Sequence, residues 1–155
     1  MAIASLNEVI QSHIMRRNII NRQLTEYSSQ KSLAVYEQTD LTTWKNNQDA
    51  KLRREWQSVY SNTNYGPVGS ASQMACIYNG HTYYRYTEIE EFQEEKELIA
   101  ARYQDELAEL TSWETQLDAQ ISTENTELSE IKAYLESFKQ MLSNNVKSDY
   151  QYATQ

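Results

Sequence analysis

Residues that break helices are scarce in this chain and are confined to one region. The 155 residues include one proline and three glycines, and all four lie between residues 66 and 80. Because proline and glycine oppose the α-helix most strongly, both flanking segments are free to form long helices. The chain therefore divides into an N-terminal helical arm (1–60), a loop and β-hairpin insert (61–88), a C-terminal helical arm (89–147) and a tail (148–155).

Groups that perform chemistry are also scarce. Cys76 is the only cysteine and His13 and His81 are the only histidines, so neither an intramolecular disulfide nor a zinc site with four Cys or His ligands can form. We interpret Cys76 and His81 as a small thiol near an imidazole, and the acidic run 88–97 as a solvated helix face. No phosphate-binding glycine loop or Ser-His-Asp set occurs. We therefore expect no enzyme activity, no catalytic residue, no cofactor and no bound metal.

The chain also has no long apolar run and no net positive charge. The mean hydropathy is −0.79 and the net charge is −8, which disfavours nucleic acid and anionic membranes as partners because both are negatively charged. The start, MAIASLNEVIQSHIMRR, lacks a basic segment ahead of an apolar stretch, so we expect neither a cleaved signal peptide nor a membrane span. An extracellular location would require export without cleavage, and the cytoplasm is the other expected location.

Apolar residues recur in the second arm at alternating spacings of three and four, which predicts the seam of a coiled coil. The first arm keeps a similar period, but polar residues occupy seam positions at Arg17, Lys31, Gln38, Lys45 and Gln48. Glu124 interrupts this seam in the second arm. In the first arm, the Ser- and Thr-rich stretches 27–32 and 38–47 have weak helix propensity, so this arm could be kinked or split. The predicted seam, which we also expect to support assembly, comprises Ile3, Leu6, Ile10, Ile20, Leu24, Leu117, Ile121, Leu128, Ile131, Leu135, Phe138 and Leu142.

Opposite net charges favour pairing of the two arms. Residues 1–60 carry a net charge of +2 and residues 61–155 carry −10. Folding back at the insert would place Lys51, Arg53 and Arg54 opposite the acidic run 88–97, although exposed ion pairs select register more than they stabilise. The sequence therefore predicts an all-α protein, a long antiparallel helical hairpin with a small β-hairpin insert. Tryptophans and tyrosines beside the seam widen the apolar face beyond what one neighbouring helix covers, which favours association with further copies.

The insert contains the one clear β signal, MACIYNGHTYYRY at 74–86. Asn79-Gly80 is a preferred pair for a two-residue type I′ turn, so residues 73–78 should pair with 81–86, placing Tyr78 opposite His81, Ile77 opposite Thr82, Cys76 opposite Tyr83 and Ala75 opposite Tyr84. The preceding residues, 61–72, are predicted to form a loop. Tyrosine is enriched in recognition surfaces, but these tyrosines could equally cover the helix ends. The candidate recognition residues are Tyr78, His81, Tyr83, Tyr84 and Tyr86.

The arms SLNEVIQSHIMRRNIINRQL and ISTENTELSEIKAYLESFKQML around this insert resemble the architecture of flagellin and of the translocator-filament subunits of type III secretion. The resemblance implies a self-assembling structural subunit of an extracellular helical filament or surface appendage, with the insert exposed or contacting neighbours. Its partners would be copies of itself, with a secretion apparatus or a host surface as further candidates. The alternatives are a non-enzymatic helical-hairpin adaptor or secretion chaperone, and a structural protein of a virus particle.

Overall fold

Two long helices that pack against each other dominate the fold. The computed structural model describes residues 2–62, 66–67 and 74–154. Helix α1 spans Ile3–Asn62 and helix α2 spans Glu90–Ala153. The predicted all-α antiparallel hairpin with a β insert is confirmed. Residues 148–153, which the sequence separates as a tail, belong to α2.

Helix α1 is continuous through the Ser- and Thr-rich stretches where a break was considered. The hydroxyls of Ser32, Thr39 and Thr43 each donate a hydrogen bond to the carbonyl four residues earlier, within the same helix. In α2, the Thr111 hydroxyl likewise donates to the Leu107 carbonyl, and the helix is continuous there. These hydroxyls share carbonyls that also accept the helical N–H bond, so they are satisfied while the helix continues.

The chain forms two compact units, each containing a length of both helices. The first unit comprises residues 1–34 and 113–155. Its core joins seam residues of α1 to seam residues of α2, and six of them are buried: Leu6, Ile10, Ile20, Leu128, Ile131 and Leu135. Leu24, Phe138 and Leu142 pack against them while partly exposed. With Leu117, which is also buried, seven of the twelve predicted seam residues are buried, and the other five, including Ile3 and Ile121, are partly exposed.

Charged pairs join the two helices on the edges of this first core. Arg16 donates two hydrogen bonds to the Glu127 carboxylate, from Nε at 2.6 Å and from Nη2 at 2.8 Å. Lys31 Nζ donates a single hydrogen bond to Asp118 Oδ1 at 2.5 Å. Both pairs are exposed, so they contribute mainly to the register of the helices.

The second unit comprises residues 35–112 and contains the insert. Leu52 and Trp56 from α1 are buried with Ile89 and Phe92 at the start of α2. The Trp56 and Phe92 rings meet edge to face with centroids 5.8 Å apart. Further along, the Arg102 guanidinium lies 4.9 Å from the centre of the Trp44 ring. Aromatic and cation–π contacts therefore take a larger part in this unit than in the first.

The β insert has the predicted turn and most of the predicted register. Strand β2 (Met74–Tyr78) pairs with β3 (His81–Tyr83), matching Tyr78 with His81, Ile77 with Thr82 and Cys76 with Tyr83. Asn79 and Gly80 have φ of 49° and 80°, as a type I′ turn requires. A two-residue strand β1 (Gly66–Pro67) pairs with the other edge of β2, within the segment 61–72 that was predicted to be a loop. Residues 63–65 and 68–73 lie outside the described part.

The second strand of the hairpin ends earlier than predicted. The predicted pairing of Ala75 with Tyr84 lies beyond the end of β3, and on the other edge of β2 Ala75 pairs with Gly66 of β1. The Tyr84 amide donates to Glu88 Oε2 at 3.3 Å, and a 3-10 turn follows at Tyr86–Glu88. The chain leaves the sheet here because it must turn into α2.

Candidate functional site

The predicted recognition residues fall into two groups. Tyr78, Tyr83 and Tyr86 are partly buried and pack against the core of the second unit, whereas His81 and Tyr84 are exposed. One face of the β-hairpin therefore rests on the helix ends, which an isolated two-stranded hairpin needs for stability. The side chain of Cys76 lies outside the described residues, so its proposed proximity to His81 stays a prediction.

The basic residues near the end of α1 have neighbours within their own helix. Lys51 Nζ lies 3.8 Å from Glu55 Oε1, and Arg54 Nε donates to the Ala50 carbonyl. Among the described residues, the ion pairs that join the two helices are those of Arg16 and Lys31 in the first unit. The ion pairs that join the helices thus lie in the first unit, whereas the charge count had suggested Lys51, Arg53 and Arg54 as the residues that pair across the helices.

A hydrophobic surface that the sequence analysis missed lies on α1 of the first unit. We call it the outer patch and define it as Met15, Ile19 and Leu33, of which Met15 is 65 % exposed and Leu33 is 50 % exposed. Ile19 and Leu33 are two heptads apart, so they share one face of the helix. Met15 and Ile19 belong to a shallow groove of about 600 Å³ whose lining comes from α1 alone. The patch is therefore turned away from α2.

A second exposed apolar strip lies on α2 of the same unit. We call it the flank strip and define it as Tyr134 and Met141, which are 54 % and 40 % exposed. They are one heptad apart and share a helix face. The Tyr134 ring stacks on Phe138 with centroids 6.2 Å apart and meets the edge of His13 at 5.8 Å. Its position is thereby fixed although half of the side chain faces solvent.

Net charge differs between the two helices that carry these surfaces. Within the first unit, residues 1–34 contain four basic and two acidic residues, and residues 113–155 contain three basic and seven acidic residues. The outer patch thus lies on a helix segment of net charge +2, and the flank strip on one of −4. Packing of the outer patch of one molecule on the flank strip of another would bring segments of opposite charge into contact, although the net charge of −8 makes whole copies repel at longer range.

The Arg16–Glu127 pair changes the proton affinity of both groups. Its hydrogen bonds, more than the field of the neighbouring charge, lower the pKa of the Glu127 carboxyl and raise the pKa of Arg16. Lys31 likewise has a raised pKa because it donates a hydrogen bond to Asp118. All three groups are therefore charged at neutral pH.

A small cavity lies in the second unit where the β-hairpin meets the helices. It has a volume of about 250 Å³ and is lined by Glu55, Trp56, Tyr78 and Glu95. The Trp56 and Tyr78 rings have centroids 5.5 Å apart, and their planes are tilted by 50°. Because Glu55 and Glu95 are forty residues apart in the sequence, no local motif could have indicated this arrangement.

No group of three or more His, Cys, Asp or Glu side chains is placed to hold a metal ion among the described residues. Within the same ranges, neither helix contains a stretch apolar enough to cross a bilayer.

Comparison with known proteins identifies no relative. No protein-family model matches the chain, and neither a curated protein nor a solved structure does so. The function must therefore be inferred from the surfaces of the molecule itself.

Proposed function

We propose that this protein is a self-assembling structural subunit, in which the outer patch of one copy packs against the flank strip of the next. The observation that carries the proposal is the pair of exposed apolar surfaces on opposite helices of one unit, with opposite net charge on the segments that bear them. Single exposed apolar residues are common, but several on one helix face can form a contact surface, and the seam of each molecule is already filled by its own two helices. Only a surface outside the seam is left for further copies.

The contact between copies would be heterologous, because it joins two different surfaces. A heterologous contact that does not close into a ring continues into a helical filament. This geometry agrees with the extracellular filament or surface appendage implied by the resemblance to flagellin and translocator subunits. Exposed Ile77 and Tyr84 on the β insert would remain outside the contact and could meet a neighbour, a secretion apparatus or a host surface.

The experiment compares the wild type with a double variant of the outer patch, Met15→Glu/Ile19→Glu. Sedimentation velocity and negative-stain microscopy across a concentration series should show fibres for the wild type. The variant should need a protein concentration at least about tenfold higher to form fibres, because charges replace two apolar contacts that assembly would bury. The matched control is Asn18→Glu/Asn21→Glu, which adds the same charge to exposed positions of the same helix. Circular dichroism should show equal helicity for all three proteins.

A mixing experiment tests the heterologous geometry. The variant Met141→Glu damages the flank strip and leaves the outer patch intact, whereas the double variant does the reverse. Mixed together, the two proteins retain one good contact between them, so they should form a dimer of unlike chains and no fibre. A wild type that stays a monomer at the highest concentration, or fibres of the double variant at the wild-type threshold, would refute the proposal.

The second candidate function is a helical-hairpin adaptor or secretion chaperone that binds a partner through the insert. The specific observation in its favour is the exposure of Ile77 and Tyr84 on the hairpin. A sharp monomer in sedimentation at high concentration is the result expected from an adaptor. A structural role in a virus particle would use the same contacts as the filament and is tested by the same mixing experiment.

A further inference from the structure

The cavity at the β-hairpin combines two aromatic rings with two carboxylates. Trp56 is almost fully buried, at 9 % exposed, and its position is fixed by edge-to-face contact with Phe92. Tyr78 is partly buried and belongs to the same cluster. The rings therefore form a wall of fixed geometry, and the carboxylates of Glu55 and Glu95 stand at the same cavity.

The chemistry of this lining selects a positively charged organic group. The electron-rich face of an aromatic ring attracts an ammonium group, and recognition of alkylammonium ligands by aromatic side chains is a general use of that attraction. Carboxylates add charge attraction, whereas an anion would be repelled by them and by the rest of the acidic run at 88–97. The apolar rings also favour a cation that carries methyl or methylene groups over a hydrated metal ion.

The size of the cavity restricts the ligand further. At about 250 Å³ it falls below the roughly 300–1,000 Å³ of pockets that enclose drug-sized molecules. A head group or one side chain fits this volume better than a whole nucleotide or cofactor. From lining and size together, we propose that the cavity of Glu55, Trp56, Tyr78 and Glu95 binds an alkylammonium group, either of a small amine or of a lysine side chain on another polypeptide.

One cation of the chain itself competes for the site. Lys51 Nζ lies 3.8 Å from Glu55 Oε1, one helical turn before it. At that distance, with both side chains largely exposed, the pair is weak and easily displaced. An incoming ammonium group that also contacts the rings can therefore replace Lys51 at Glu55.

The test follows the indole NH signal of Trp56 by nuclear magnetic resonance while probes are added to the full chain. The probes are tetramethylammonium, choline and a short lysine peptide. Their neutral counterparts are 3,3-dimethylbutan-1-ol for choline and the acetyl-lysine form of the peptide. We expect saturable shifts with the charged probes and none with the neutral ones. Saturation by tetramethylammonium and choline alone identifies a small free ammonium compound as the ligand, and saturation by the peptide identifies a lysine side chain.

Matched variants separate the cavity from general charge attraction. Glu95→Gln should raise the dissociation constant of the charged probes at least threefold. Glu94→Gln removes the same charge from a residue outside the lining and should change that constant by less than twofold. Tyr78→Leu should weaken binding by a similar factor, provided that the signals of the hairpin show it still folded. Lys51→Gln should strengthen binding about twofold because the internal competitor is removed, and Arg53→Gln, which removes a positive charge elsewhere, should not.

Three results would overturn the inference. They are equal shifts with the neutral counterparts, equal losses in Glu95→Gln and Glu94→Gln, and no saturation with any charged probe in the range of tens of millimolar. Because the variants lie in the second unit and the proposed assembly surfaces lie in the first, failure here leaves the assembly proposal standing.

Discussion

Glu124 is the one acidic residue that interrupts the apolar seam of α2, and its replacement by leucine should stabilise the protein. It lies seven residues after Leu117 and seven before Ile131, both of which are buried. Its Oε2 atom is buried without a hydrogen-bond partner among the described residues. A buried oxygen in that state costs about 1–3 kcal/mol relative to its hydrated form.

Leucine at this position would remove the unpaired oxygen and add apolar surface to the seam. Burial of a leucine side chain contributes about 1.5–3 kcal/mol, although position 124 is only half-buried and part of this gain is lost. Glu124 also adds to the field that favours the charged form of Arg16, and this attraction disappears. The net expectation is a gain of about 1–2 kcal/mol, which would raise the melting temperature by about 2–8 °C in a protein of this size.

The measurement is urea unfolding followed by circular dichroism, with Glu130→Leu as the matched control. Glu130 is exposed on the same helix, so the same substitution there should change stability by no more than about 0.5 kcal/mol. Both variants should be compared at a concentration below any assembly threshold, because association would add its own stabilisation. If Glu124→Leu is no more stable than Glu130→Leu, the unpaired oxygen is not a cost and the reasoning is wrong.

Three further predictions concern the core, an ion pair and the turn. Leu128→Ala should destabilise the first unit by about 2–5 kcal/mol in urea unfolding, because it leaves a cavity in the seam. Since Arg16 lowers the pKa of Glu127, the stability contributed by this pair is present above the ordinary glutamate pKa and is lost as the pH falls through the lowered one. The difference in stability between wild type and Glu127→Gln should therefore shrink in acid, and a difference that is constant from pH 7 to pH 2 would contradict this. Gly80→Ala should destabilise the hairpin by about 1 kcal/mol because φ is positive there, whereas Gly80→Asn should cost less. Nothing lies within 4 Å of the added Cβ, so a steric clash cannot explain a loss.

Local signals in the sequence predicted the parts of the fold that local physics determines. The turn followed from Asn79-Gly80, because few other pairs adopt positive φ at both positions. The seam followed from its heptad spacing, since only that period keeps one stripe facing a partner helix. Both features depend on residues close together in the chain, and both are present in the structure.

Other features depended on where side chains find partners after folding. The Ser- and Thr-rich stretches of α1 looked like breaks because their hydroxyls can bind the backbone in non-helical conformations. In the structure Thr39 and Thr43 bind carbonyls of their own helix, and the helix continues. The early end of β3 has a similar origin, because the Tyr84 amide finds Glu88 in place of a strand partner.

The surfaces that we propose for assembly were the hardest to predict, for a reason that the outer patch illustrates. Met15, Ile19 and Leu33 are apolar residues off the seam, and in sequence they look like additional width of the same face. The structure shows that the other helix covers the seam and leaves these three residues exposed. The spacing of Ile19 and Leu33 by two heptads was a usable signal, but the missing information was which stripe the other helix covers.

Because the seam is filled within one molecule, the proposed assembly has to use other surfaces of the helices. Leu128 and Leu135 are buried between the two helices of one molecule, so charges placed there would unfold the hairpin whether or not copies associate. Substitutions at the outer patch are more informative, because Met15 and Ile19 contribute nothing to the seam and the monomer can remain folded without them. Loss of fibres with unchanged helicity in Met15→Glu/Ile19→Glu would therefore separate the assembly contact from the fold. The same loss in a Leu128 variant could not do so.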